Sequence, residues 1–147
     1  MKKYVIVKDK GVFEKSDHQI YRNILTHEKE NLNDEEIIRE ICSQKDVMEL
    51  LERIEFILTI QAPNAKVYEE FYQEAMSKYD EVEWIKVIKT EYMRRKMHKS
   101  FPFEKNYSHL AKLYLYSEMS LLLNIPYESV EQYITDYIHE NEWDEDL

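Results

Sequence analysis

One glycine, one cysteine and three prolines among 147 residues leave little of what several fold classes use most. Sandwiches, barrels and Gly-rich nucleotide folds need many tight turns, and a chain whose sole glycine is Gly11 is not expected to build them. Cys42 has no second cysteine to pair with, so no intrachain disulfide forms. No apolar run reaches 18 residues, and the short stretch after Met1-Lys2-Lys3 is cut by Lys8 and Asp9. That argues against a transmembrane helix and a signal peptide, so the plain reading is a cytoplasmic protein with no membrane partner.

Hydrophobic residues make up 44% of the chain and aromatics 13%, enough to bury a core and to exclude a disordered chain. With so few turn formers, that composition is expected to be mainly α. The net charge of −10 disfavours non-specific attraction to nucleic acid or anionic membrane over most of the surface. The charge is unevenly spread. Lys86 to Lys112 holds eight Lys/Arg and two acids, a window of +6, which leaves −16 on the rest. The end of the chain, 140–147, reads as an acidic tail.

Residues 4–8, Tyr-Val-Ile-Val-Lys, are rich in β-branched residues. Asp9-Lys10-Gly11 makes a turn and Val12-Phe13-Glu14 follows, so a short β-hairpin is expected within 1–33. A lone hairpin is marginal in water, so it is expected to dock on the helices or on a second copy of the chain, a homo-oligomer. Asn33 or Asp34 caps a first helix over Glu35-Glu36-Ile37-Ile38. Ser43 caps a second, whose buried face is Val47, Leu50, Leu51, Ile54, Ile57 and Leu58. Val67, Phe71, Ala75 and Met76 mark a third, and Trp84, Val87, Ile88, Glu91 and Tyr92 a fourth that runs into Arg94-Arg95-Lys96. Phe101-Pro102-Phe103 reads as a connection. Leu110 to Leu123 gives a fifth, ended at Asn124-Ile125-Pro126, and Tyr127 to Tyr137 a sixth. The expected fold is a compact bundle of five or six helices over 34–139, free of strands, with the hairpin as an appendage.

Three stretches resemble one family: Arg39 to Leu51, Val87 to Lys96, and Leu113 to Ile125. Their order and spacing are similar to the C-terminal helical domain of the CarD family of bacterial transcription regulators. The resemblance implies binding of RNA polymerase through an N-terminal Tudor-like β domain, and contact of the helical domain with promoter DNA at the edge of the melted region. There a tryptophan acts as a wedge, and the open promoter complex is stabilised. Only 33 residues precede Asp34, so the Tudor-like domain is expected to be missing or truncated. The wedge would fall near Asn64-Ala65, where this chain has no tryptophan.

Lys89, Arg94, Arg95, Lys96 and Lys99 are the candidate phosphate contacts, with Lys105 and Lys112 nearby. The competing reading is that these cations complement a helix C-terminus and pair with the acidic excess. In that case the chain is an acidic protein–protein interaction module without DNA binding. Trp84 reads as core and Trp143 as an anchor or a tail residue. Tyr68, Tyr72 and Tyr79 read as a half-buried rim rather than a base-stacking platform. His18, His27, His98, His109 and His139 show no zinc or catalytic spacing, so no enzyme, metal or cofactor is expected. Cys42 reads as a buried small side chain, and Glu118 as a structural ion-pair partner of Arg94 or Arg95.

Overall fold

The computed structural model describes residues 2–140; the expected acidic tail and Trp143 lie outside the described residues. Helix accounts for 57% of the chain and strand for 16%, so the fold is mostly helical, yet its sheet is larger than a hairpin. Five antiparallel strands are arranged in the order β4-β3-β2-β1-β5: β1 Tyr4–Val7, β2 Gly11–Asp17, β3 Ile20–Asn23, β4 Lys29–Asn31 and β5 Ile37–Glu40. Five helices follow: α1 Gln44–Arg53, α2 Ala65–Met76, α3 Glu81–Lys96, α4 Pro102–Leu123 and α5 Val130–Glu140.

The expected hairpin is β1 and β2, registered from Tyr4 opposite Glu14 to Val7 opposite Gly11. It docks on the helices, as its marginal stability requires. Gly11 adopts φ +110, and a Cβ there would meet Leu113 of α4 at 3.2 Å. The Asp9 N–H donates to the Tyr114 hydroxyl at 2.7 Å. The other two hairpin turns do without glycine: His18 and His27 take positive φ there, as Asp9 does in the turn before Gly11. Asp and His tolerate that region better than most residues, so scarcity of glycine did not limit the sheet.

The sheet has a core of its own. Val5, Val7, Phe13, Tyr21 and Leu32 are buried together, with Ile37 packed against them. The opposite face, through Ile6 and Val12, joins the main helical core. Strand alternation therefore splits β1 between two cores. Register shifts at Ile6/Val7 and Lys15/Asp17 give the local bends that bulges produce.

The first helix expected over Glu35-Glu36-Ile37-Ile38 is absent. Asn33 does act as a cap, but of a single 3-10 turn, Asp34–Glu36, after which the chain enters β5 against β1. The strand-free boundary at residue 34 is corrected accordingly. Ile37-Ile38 is β-branched, and pairing with β1 offers it more than an isolated helical turn could.

Ser43 caps α1 in a reciprocal box with Asp46. The helix stops at Arg53, a 3-10 turn covers Ile54–Phe56, and the chain extends beyond it. Leu58, expected on the buried face, is 82% exposed, while Ile57 and Ile60 turn inward. In α2 the buried face is Tyr68, Tyr72, Ala75 and Met76, and Phe71 lies at the surface. Pro102 is no connection but the first residue of α4, where its missing N–H costs nothing. Asn124 ends α4 in the left-handed conformation. Trp84 is fully buried, tilted against Tyr114 at 5.2 Å.

Candidate functional site

Five of the eight cations in the basic window, Lys86, Lys89, Arg94, Arg95 and Lys112, are engaged by the protein's own groups. Lys89 places its Nζ at 3.2, 3.3 and 2.9 Å from the carbonyls of Ile54, Glu55 and Ile57. It thus satisfies the backbone groups exposed where α1 gives out. Burial pushes its pKa down, opposed by the charge of Glu55. Arg94 donates its Nε to Glu104 at 2.9 Å and its Nη2 to the Lys99 carbonyl, and lies 3.8 Å over the Tyr68 ring. Arg95 reaches back one turn to Glu91 at 2.8 Å. Lys112 pairs with Glu131 on α5. The expected phosphate role of Lys89, Arg94 and Arg95 competes with these internal partners, which the acidic excess supplies.

Lys96, Lys99 and Lys105 are exposed and make no ion pair with a described residue. They lie where α3 ends and α4 begins, next to the half-exposed Met97 and Phe101. A backbone-phosphate contact at this end of the helices would fall to these three lysines. Tyr68 and Tyr72 are buried, so they form no stacking platform. His18, His27, His98 and His109 are exposed, at separate places.

Two buried carboxylates organise the helices, and sequence reasoning gave neither its correct partner. Glu104, fully buried, accepts from the Tyr72 hydroxyl at 2.7 Å, from Arg94 and from the Phe101 N–H at 2.6 Å. Glu118, also fully buried, pairs not with Arg94 or Arg95 but with Arg39 of β5, 79 positions away, at 3.3 Å. Arg39 also donates to the Tyr79 carbonyl, the Glu40 carbonyl and Glu81, and faces the Trp84 ring. A single guanidinium thus joins the sheet to α3 and α4. The same Glu118 oxygen also accepts from the Cys42 N–H, at 2.9 Å.

Burial pushes the Glu118 carboxyl up to about 8, helped by the neighbouring Glu81 and opposed by the Cys42 N–H and Arg39. Burial also works against the charge of Glu81, but hydrogen bonding to Glu118 and the charge of Arg39 outweigh it and hold that carboxyl below its usual range. Cys42, half-buried, has its thiol pushed up by burial and then by the two carboxylates, so it is a poor nucleophile. An apolar cleft lies between α3, α4 and α5, walled by Ile54, Ile85, Ile88, Ile134 and Ile138. Its charged groups, Lys89, Lys112 and Glu131, have the internal partners already given.

Fold and site together define a small protein with a β unit followed by a helical unit, tied by buried ion pairs. No protein-family model matches the chain, and no curated protein matches it either. Among the described residues no helix is long and apolar enough to cross a membrane.

Proposed function

We propose that the chain is a CarD-like transcription regulator that docks on RNA polymerase through its N-terminal sheet and acts on promoter complexes. The observation that carries this reading is the separate core of the sheet, Val5, Val7, Phe13, Tyr21 and Leu32, ahead of the helical unit. A small β domain followed by helices is the arrangement the family resemblance implies, and a sheet with its own core is a credible docking unit where a bare hairpin is not. In this reading promoter DNA is a weak partner, held by Lys96, Lys99 and Lys105 rather than by all of Lys89, Arg94, Arg95, Lys96 and Lys99. Such contacts position the duplex without reading its sequence.

A second reading, an acidic protein–protein interaction module without DNA contact, is favoured by the internal partners of Lys89 and Arg94 and by the pairing of the exposed Arg95 with Glu91. One experiment separates them. The full chain is mixed with purified bacterial RNA polymerase and with a promoter duplex, singly and together, and complexes are read by gel filtration and fluorescence anisotropy. The first reading expects co-migration with polymerase and salt-steep duplex binding, with a log–log slope of about −3 for three phosphates. Polymerase binding without any duplex contact selects the second. Failure to bind polymerase, with or without DNA, removes the transcription role.

A further inference from the structure

We propose that Cys42, Glu81 and Glu118 form a binding site for a borderline-soft divalent cation of the zinc type at the junction of the sheet and the helices. The three side chains come from separate segments: the link between β5 and α1, the first turn of α3, and the C-terminal half of α4. The Cys42 Sγ and one oxygen from each carboxylate lie within 4.8 Å of one another. Tetrahedral zinc, with about 2.0–2.3 Å to each ligand, needs ligand atoms about 3.3–3.8 Å apart, a modest closure of three side chains.

The second observation is the state of Glu118. It is fully buried, and its Oε1 has no hydrogen-bond partner, while Oε2 is taken by Arg39 and by the Cys42 N–H. An orphaned oxygen on a buried carboxylate is costly and calls for a positive group beside it. Arg39 supplies one charge to the two carboxyl groups, and a proton held between Glu81 and Glu118 supplies the other, in the place a cation would take. A divalent cation with a cysteine thiolate closes the balance: two carboxylates and the thiolate on one side, the cation and Arg39 on the other. The Cys42 thiol and the Glu118 carboxyl each release a proton to solvent as the bonds to the metal form.

The donor set selects the metal. A thiolate with two carboxylates suits zinc, whereas magnesium and calcium take six or more oxygens and have no use for sulfur. Arg39 keeps its bond to the Glu118 Oε2, the kind of outer hydrogen bond that orients a ligating carboxylate. Bound metal would fasten the β5–α1 link to both long helices. Sequence spacing gave no sign of the site, because its ligands are 39 and 37 positions apart.

The test uses the full chain. Zinc is titrated in competition with a chromogenic chelator, and cobalt(II) is titrated while near-ultraviolet absorption is followed. One equivalent of each is expected to bind, and cobalt is expected to give a thiolate-to-metal charge-transfer band. Cys42→Ser, a near-isosteric change at a half-buried position, is expected to abolish the band and weaken zinc at least about tenfold. Glu118→Gln is expected to weaken zinc by a similar factor. Cobalt binding by the unaltered chain without the band overturns the proposal, and that result does not depend on any variant folding. Zinc binding by Cys42→Ser as tight as that of the unaltered chain also overturns it, as does absence of binding at zinc well above the protein concentration.

Discussion

The two buried arginine–glutamate clusters are built to different standards of closure. At Arg94–Glu104 the partners are ten positions apart, and both carboxylate oxygens are used, by Tyr72, Arg94 and the Phe101 N–H. At Arg39–Glu81–Glu118 one guanidinium serves two carboxylates across the sheet–helix junction, and one buried oxygen is left over. The first cluster is a closed structural device that fixes the α3–α4 turn. The second holds charge in reserve, which is the condition for exchanging a proton or a cation. A buried ion pair contributes little by its existence, but its effect depends on whether every member is satisfied.

The largest effect is expected from breaking the closed cluster. Arg94→Ala leaves Glu104 buried and facing only neutral donors, at a cost of about 3–5 kcal/mol. Urea denaturation should show it as a fall in midpoint at unchanged slope. Replacing both partners with apolar residues, Arg94→Met with Glu104→Leu, should recover much of the loss, which a mere deletion of contacts would not.

Arg39→Ala is expected to cost less, about 1.5–3 kcal/mol, because the site is more open and a proton between Glu81 and Glu118 can replace the guanidinium. If it costs more than Arg94→Ala in the same urea series, the contrast between the two clusters fails. Gly11→Ala probes the junction from the sheet side. Its left-handed φ and the 3.2 Å approach of Leu113 predict a loss of about 1–2 kcal/mol, read as a lower Tm with the helical circular dichroism retained.

The smallest stability effect is expected from the exposed lysines. Lys96→Ala, Lys99→Ala and Lys105→Ala together should change stability by less than about 0.5 kcal/mol, yet flatten the salt slope of duplex binding by about three. A loss of slope of about one from Arg95→Ala alone would mean that its pairing with Glu91 yields to phosphate.

Local signals were legible where the physics is local. The Ser43–Asp46 box, the Asn124 stop and the Gly11 turn each involve groups a few positions apart, and each appears where its residues indicate. Trp84 in the core followed from helical spacing alone. Strand β4 was missed because Lys29-Glu30-Asn31 is a short polar run whose strand character comes from pairing with β3. Strands β3 and β5 were missed because their β-forming pairs, Ile20-Tyr21 and Ile37-Ile38, sit in runs of only four residues, too short to show a period. Leu58 was misplaced because helical spacing continued past Arg53 on paper, while the chain itself turned extended so that Ile60 could reach Thr90.

By itself, then, the sequence determined the helical character, the caps and the pool of charge, since these depend on composition and on neighbours within about a turn. Which cations remain free, which carboxylates lose their water and which thiol faces them were decided only by the tertiary structure. Arg39 and Glu118 are far apart in the chain, and Lys89 meets carbonyls more than 30 positions away. Such pairs follow from how the sheet is set against α3 and α4, and neither periodicity nor spacing encodes that placement in a form a linear reading can recover.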